Sequence, residues 1–404
     1  MKATEFQQAG GVEDWRALGS GASTWFDAPS QTAGAALVGR IADLAPVLPD
    51  LDLRAGGVRV RIGASSDLDV ELARAISAAA QDLGLPADPA ALQTVHFAID
   101  AVDRPSVMSF WRTALAYEPA DDNSLADALR RDPPISFHHL DQPRPLRNRI
   151  HFDVSRSPEA VDAVKTALGT EAYGAWELTL ADTEGNEVDL VPGGELTEGP
   201  ETADWRVVFG AMTFYPTSSP TQAAALATAV AGLADDAGVP LLVDLRPDGV
   251  TIDSGKDLWE EDVPRFTALA GRVQTAAHDL ALAADPSRLR FVQFGIDAFD
   301  VPAVRDFWTS LLGYQHDPRT NVSDIYDPRR LNPVIIFQQM DAADGERLRQ
   351  RNRIHFDLGV PDDQAQARID ADVAAGGRIL AEPAQGRCRL ADPEGNEVDI
   401  VAPA

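Results

Sequence analysis

Four of the seven histidines, His96, His138, His139 and His151, fall in one stretch of about sixty residues, each on a segment that alternates as a β-strand. In TVHFAID, Val95, Phe97 and Ile99 share one face and His96 and Asp100 the other. In NRIHFDV, Ile150, Phe152 and Val154 oppose His151 and Asp153, and in EVDLV, Glu187 and Asp189 oppose Val188 and Leu190. Two imidazoles and a carboxylate on one divalent ion, with other positions open, let a metal polarise an oxygen substrate. His96, His151 and Asp189 supply that set. His138 and His139 point to opposite faces of their strand, so one of them is a further ligand or a proton carrier, and the sequence does not choose between them.

The elements that must position these residues occur twice. EDWR (Glu13–Arg16) recurs as ADWR (Ala203–Arg206), and FWRTAL (Phe110–Leu115) as FWTSLL (Phe307–Leu312). NRIHFDV (Asn148–Val154) recurs as NRIHFDL (Asn352–Leu358), and DTEGNEVDLV (Asp182–Val191) as DPEGNEVDIV (Asp392–Val401). The offset grows from 190 at Trp15/Trp205 through 204 at His151/His355 to 210 at Asp189/Asp399, so short insertions separate two copies of one plan. The second copy has Gln293 in place of His96 and Gln338/Gln339 in place of the histidine pair, but keeps His355 and Asp399. An amide oxygen binds first-row metals less strongly than an imidazole, so its site is expected to be weaker or metal-free.

Within each copy the early part mixes helical periodicity (TAGAALVGRIADLAPVL, LDVELARAISAAAQDLGL) with strands such as VRVRI. The later part reads as two βαβ-type rounds. The chain is therefore predicted to be α+β, in five segments: 1–92, 93–192, a Gly-, Pro- and acid-rich joint at 193–204, 205–287 and 288–404.

The segments 94–191 and 290–401 resemble the glyoxalase-like division of the vicinal oxygen chelate superfamily, through the opening strand, the FW helix, the NRIHFD strand and the closing DPEGNE strand. The resemblance implies paired βαβββ units curled into a cup that holds a divalent metal (Fe, Mn, Ni or Zn) or a small organic molecule, with Asp189 where metal-binding members carry a glutamate. It implies isomerase, lyase or dioxygenase chemistry, or sequestration of a drug-like or natural-product ligand without catalysis. Arg149 and Trp176, with Gln293, Gln339, His355 and Asp399 in the second copy, are the expected substrate contacts. Two structural alternatives stand beside this: His151 and His355 hydrogen-bonding across a sheet, and the arginines Arg144, Arg147, Arg149, Arg347, Arg349, Arg351 and Arg353 pairing with acids.

The segments 13–85 and 203–282 resemble pterin carbinolamine dehydratase, which works through histidines placed just before a proline. Here that place is occupied by Val47, Leu48 and Pro49, no histidine occurs before His96, and the second copy has only His278. Aliphatic side chains shuttle no protons, so these parts are expected to be scaffold or binding wall.

Thirty-five basic against 63 acidic residues leave a net charge of −28, which repels phosphate backbones and anionic membrane surfaces and removes nucleic acid and lipid as expected partners. Without a signal-like apolar stretch near Met1 or a membrane-length run, a cytoplasmic protein is expected, acting on a small molecule. The single cysteine, Cys388, excludes an intramolecular disulfide and is expected to be a buried small hydrophobe.

Overall fold

The computed structural model describes residues 3–402 apart from Ser20, Ala175 and Gln385. They form two compact units, each built from parts of both copies: the residues up to Leu92 with Gly193–Arg290, and Gln93–Pro192 with Phe291–Ala402. The architecture is mixed α+β, with three sheets.

In the first unit nine strands make one antiparallel sheet. Its order is Arg16–Leu18, Gly21–Asp27, Gly57–Gly63, Asp50–Arg54, Leu242–Arg246, Gly249–Lys256, Gly210–Pro216, Arg206–Val208 and Gly194–Glu195. The copies meet in the middle, where Asp52 stands opposite Asp244 and Leu53 opposite Val243. Period-2 alternation sends Leu51, Leu53, Val58, Val60, Val243 and Leu245 into a core shared with the helices Gln31–Leu44, Asp67–Asp82, Pro220–Ala237 and Val263–Asp279. The intervening residues are buried charges on the other face. Arg246 reaches Asp52 at 2.7 Å, Arg59 reaches Asp52 at 2.6 Å and Arg54 reaches Asp244 at 2.7 Å, so each desolvated charge has an opposite partner.

The repeated DWR motif has one structural use in both copies. Trp15 and Trp205 are fully buried, and Arg16 and Arg206 donate back to the carbonyls of Glu13 and Ala203 at 2.9 and 2.8 Å. The stretch 193–204, read from sequence as a joint, instead contributes the edge strand Gly194–Glu195 and the 3₁₀ turn Pro200–Thr202 to this unit. Its Gly and Pro residues punctuate turns there.

The second unit has an eight-stranded and a seven-stranded sheet. The first runs Arg378–Ala384, Arg387–Ala391, Glu397–Val401, Ile354–Gly359, Thr94–Ala101, Ile135–His139, Ser124–Ala126 and Glu118–Asp121. The second runs Thr179–Ala181, Glu187–Pro192, Ile150–Arg156, Phe291–Ala298, Ile335–Gln339, Ile325–Tyr326 and Gln315–His316. The expected domains 93–192 and 288–404 have thus exchanged halves. The strand of His96 pairs with that of His355, and the strand of His151 with that of Gln293.

One phenylalanine from each of the four central strands closes the core between the sheets. Phe97 stacks on Phe294 at 3.7 Å and meets Phe356 at 4.6 Å and Phe152 at 5.2 Å. The FW helices lie over it, with Trp111 and Trp308 donating to Asp182 and Asp392 of the two DxEGNE turns at 2.9 and 3.0 Å. Those aspartates also accept from the backbone of Glu184 and Asn186, or Glu394 and Asn396, and Gly185 and Gly395 take φ of 81° and 87° where a side chain would be strained. Cys388 is buried as expected, and no described helix is long and apolar enough to cross a membrane.

Candidate functional site

Because the halves exchange, the sheet pairing divides the residues grouped from sequence. His96 lies on the eight-stranded sheet, while His151 and Asp189 lie on the seven-stranded one. The expected triad of His96, His151 and Asp189 is therefore not one site, and two unequal polar faces take its place.

On the eight-stranded sheet, His96, Asp357 and Asp399 form one row across three strands. His355 stands opposite Ala98, and His138 opposite Asp100. One ligand atom each from Asp100, His138 and His355 lie within 4.8 Å of one another, as do those of His355, Asp357 and Asp399. The imidazoles of His138 and His355 are 5.8 Å apart, centre to centre. His355 is buried and its Nε2 has no hydrogen-bond partner among the described residues; burial lowers its pKa, more than the nearby acids raise it, so the ring is neutral near pH 7. Arg144 fixes Asp100 at 3.0 Å and also donates to the Asn352 carbonyl at 2.6 Å.

Asp399 is committed elsewhere. Arg389 grips it with two hydrogen bonds of 2.8 and 2.7 Å and Arg387 adds one of 3.1 Å. Burial would raise its pKa, but the arginines outweigh that and hold the carboxyl ionised below its ordinary range.

On the seven-stranded sheet, Gln293 stands opposite Asp153 and donates to it at 2.9 Å. One ligand atom each from His151, Asp153 and Asp189 lie within 4.8 Å of one another. The Nε2 of His151 is 3.5 Å from Asp153, and its buried Nδ1 has no hydrogen-bond partner among the described residues. Thr179 stands opposite Asp189 where Arg389 stands opposite Asp399, so the arginine clamp of the other face is missing.

Gly295 faces His151, and any Cβ there would overlap the imidazole. Gly295→Ala is expected to displace that ring and to destabilise the chain by about 1–3 kcal/mol through overpacking, read as a lowered Tm in thermal denaturation.

Two of the expected substrate contacts, Arg149 and Gln339, are engaged in hydrogen bonds within the chain. Arg149 is 1% exposed and donates to Asn396 Oδ1 at 3.1 Å, the Arg347 carbonyl at 2.6 Å and the Glu394 carbonyl at 3.3 Å. Arg353, its counterpart, does the same toward Asn186 at 2.8 Å and Gly185 at 3.1 Å. Each arginine ties its strand to the DxEGNE turn of the other copy. Arg347 pairs with Asp297 at 2.5 Å, Arg351 with Glu397 at 2.5 Å, and Arg147 with Glu187. Trp176 is 82% exposed in a turn rather than at the opening of a strand.

Gln339 donates to the backbone of Phe299 at 2.9 Å, at the exposed end of its strand. His139 is exposed and meets Asp141 at 3.2 Å, which leaves His138 as the histidine turned toward the clustered face. Sequence reasoning missed Asp100, Asp153 and Asp357 as members of these clusters. Their place on the same strand face as His96, His151 and His355 was the available signal.

The glyoxalase-like domain family matches residues 96–191 and 293–401, just over half of the 404 residues, and the chain belongs to that family. Among solved structures, glyoxalase I from Zea mays is 10% identical with a TM-score of 0.38, over 77% of this chain and 92% of that one. A glyoxalase/bleomycin resistance protein/dioxygenase family enzyme from Burkholderia phytofirmans PsJN is 17% identical with a TM-score of 0.21, over 27% of this chain and 95% of that one. The cppA protein from Streptococcus pneumoniae TIGR4 is 8% identical with a TM-score of 0.34, over 76% of this chain and 97% of that one. No protein of curated function matches the chain.

Proposed function

We propose that this chain binds and converts a small organic molecule on the eight-stranded face, with a first-row divalent metal held by Asp100, His138 and His355. The observation that carries the reading is the buried, unpartnered Nε2 of His355, on a residue that shares ligand distance with a second imidazole and a carboxylate. Two nitrogens and one oxygen suit Fe, Mn, Ni or Zn. Such a metal supplies Lewis-acid polarisation of a carbonyl or hydroxyl oxygen.

The chain's own residues do the rest. Burial keeps His355 neutral, the form that ligates, and Arg144 orients Asp100 as an outer partner. Ala98, opposite His355 in the strand register, presents only a methyl group there. The reaction class is isomerisation, lyase cleavage or ring-opening oxygenation of an oxygen-bearing substrate.

Sequestration without catalysis is the second reading. It is favoured by the clamp of Arg387 and Arg389, whose three hydrogen bonds occupy both carboxylate oxygens of Asp399. Pterin dehydration finds no support in the first unit, whose one histidine, His278, is half exposed and paired with Asp204 at 2.9 Å.

Equilibrium dialysis of the full chain against each metal, followed by elemental analysis, tests the proposal. About one tightly held ion per chain is expected on this reading. No retained metal, together with tight binding of apolar small molecules, would transfer the assignment to sequestration.

A further inference from the structure

Asp372 is a buried acid. It lies on the helix Asp362–Ala374, is 0% exposed, and neither side-chain oxygen has a hydrogen-bond partner among the described residues. Leaving a buried carboxylate in that state is costly.

Two charges act on it. Arg368, one turn earlier, is engaged with the Leu311 carbonyl at 2.6 Å and makes no hydrogen bond to it. Asp392, also fully buried, adds a like charge. The elements packed against this helix carry Arg305, Asp306, Arg378, Glu397 and Asp399, and none of these is among the charges that act on Asp372. Burial first, and Asp392 second, push the Asp372 carboxyl up to about 7, and burial raises Asp392 as well.

Asp392 is the centre of a turn with mechanical connections. Besides Trp308 it accepts from Asn396 Nδ2 at 2.7 Å. Asn396 Oδ1 in turn receives Asn352 at 2.7 Å and Arg149 at 3.1 Å. Asn352 leads directly into the strand of His355.

We propose that Asp372 is a proton-operated latch on the turn Asp392–Asn396. The chain just past this helix packs on the turn, where a Cβ on Gly376 would lie 3.8 Å from Pro393 Cγ; neutral, Asp372 leaves that contact closed, and ionised, it repels Asp392 and loosens the anchors of Asn352 and Arg149. The folded chain holds this proton to a higher pH than the unfolded chain, where an aspartate titrates at its ordinary 3.8. The stabilisation is therefore fully present in acid, falls as the pH rises from about 4 to about 7, and stays low above that. The latch is independent of any metal.

Hydrogen–deuterium exchange of the full chain at about pH 5.5 and about pH 8.5, corrected for intrinsic exchange chemistry, is the test. Opening of 362–374 and 392–396 is expected to be at least ~10-fold more frequent at the higher pH in the native sequence, and to lose that dependence in Asp372→Asn. An equal pH dependence in the variant, or none in the native sequence, overturns the latch. Infrared titration of the unmodified chain gives a reading that does not depend on the variant folding. A buried protonated-carboxyl band that disappears near neutrality is expected, and its absence overturns the proposal.

Discussion

His355→Ala is expected to weaken divalent metal binding by at least ~100-fold, measured by competition with a chromogenic chelator, while His151→Ala leaves the same site within about threefold. The contrast follows from strand pairing. His355 sits in a cluster with His138 and Asp100, and His151 sits on the other sheet with Asp153 and Asp189. Neutral imidazole is the harder donor to replace in a nitrogen–oxygen set, and the eight-stranded cluster has two of them. The variant is expected to fold, because among the described residues the Nε2 of His355 makes no hydrogen bond whose loss would strand a buried partner. Loss of metal from His151→Ala instead would place the ion on the seven-stranded face with Asp153 and Asp189.

Arg149→Ala is expected to cost about 3–5 kcal/mol of unfolding free energy in urea denaturation, and Arg353→Ala a similar amount. Removing Arg149 strands the Arg347 carbonyl in the interior, unpairs the half-buried Glu394 carbonyl and leaves Asn396 Oδ1 with Asn352 as its remaining donor. It also unties the Ile150–Arg156 strand from the other copy's turn. Arg349, on the surface, serves as control, with a change within about 0.5 kcal/mol expected for Arg349→Ala. A substrate-binding arginine would behave the other way, with stability retained and ligand affinity lost.

Much of this architecture is legible in the residues. The duplication follows from four ordered motifs. The alternation around Phe97, Phe152, Phe294 and Phe356 separates core faces from polar faces, as the aromatic cluster bears out. What the alternation cannot specify is the partner. His96, Ala98 and Asp100 present the same small-residue pattern between polar neighbours as Gln293, Gly295 and Asp297, so either strand can pair with the NRIHFD strand of either copy and bury equivalent apolar residues.

The exchange therefore becomes visible only in three dimensions, and with it the regrouping of His96 away from His151. Arg149 misleads for a related reason. An arginine in an acidic chain reads as a ligand contact until the carbonyls of a tight turn are seen around it. Trp176 is the reverse case, an aromatic residue whose type implies a lining role and whose turn leaves it exposed.

The most direct test counts imidazoles. X-ray absorption spectroscopy of the full chain loaded with one equivalent of zinc or nickel is predicted to show two histidine nitrogens in the coordination sphere, falling to one in His138→Ala. A sphere of one imidazole and two carboxylates, unaffected by His138→Ala and abolished by His151→Ala, would place the metal on the seven-stranded sheet and contradict the account.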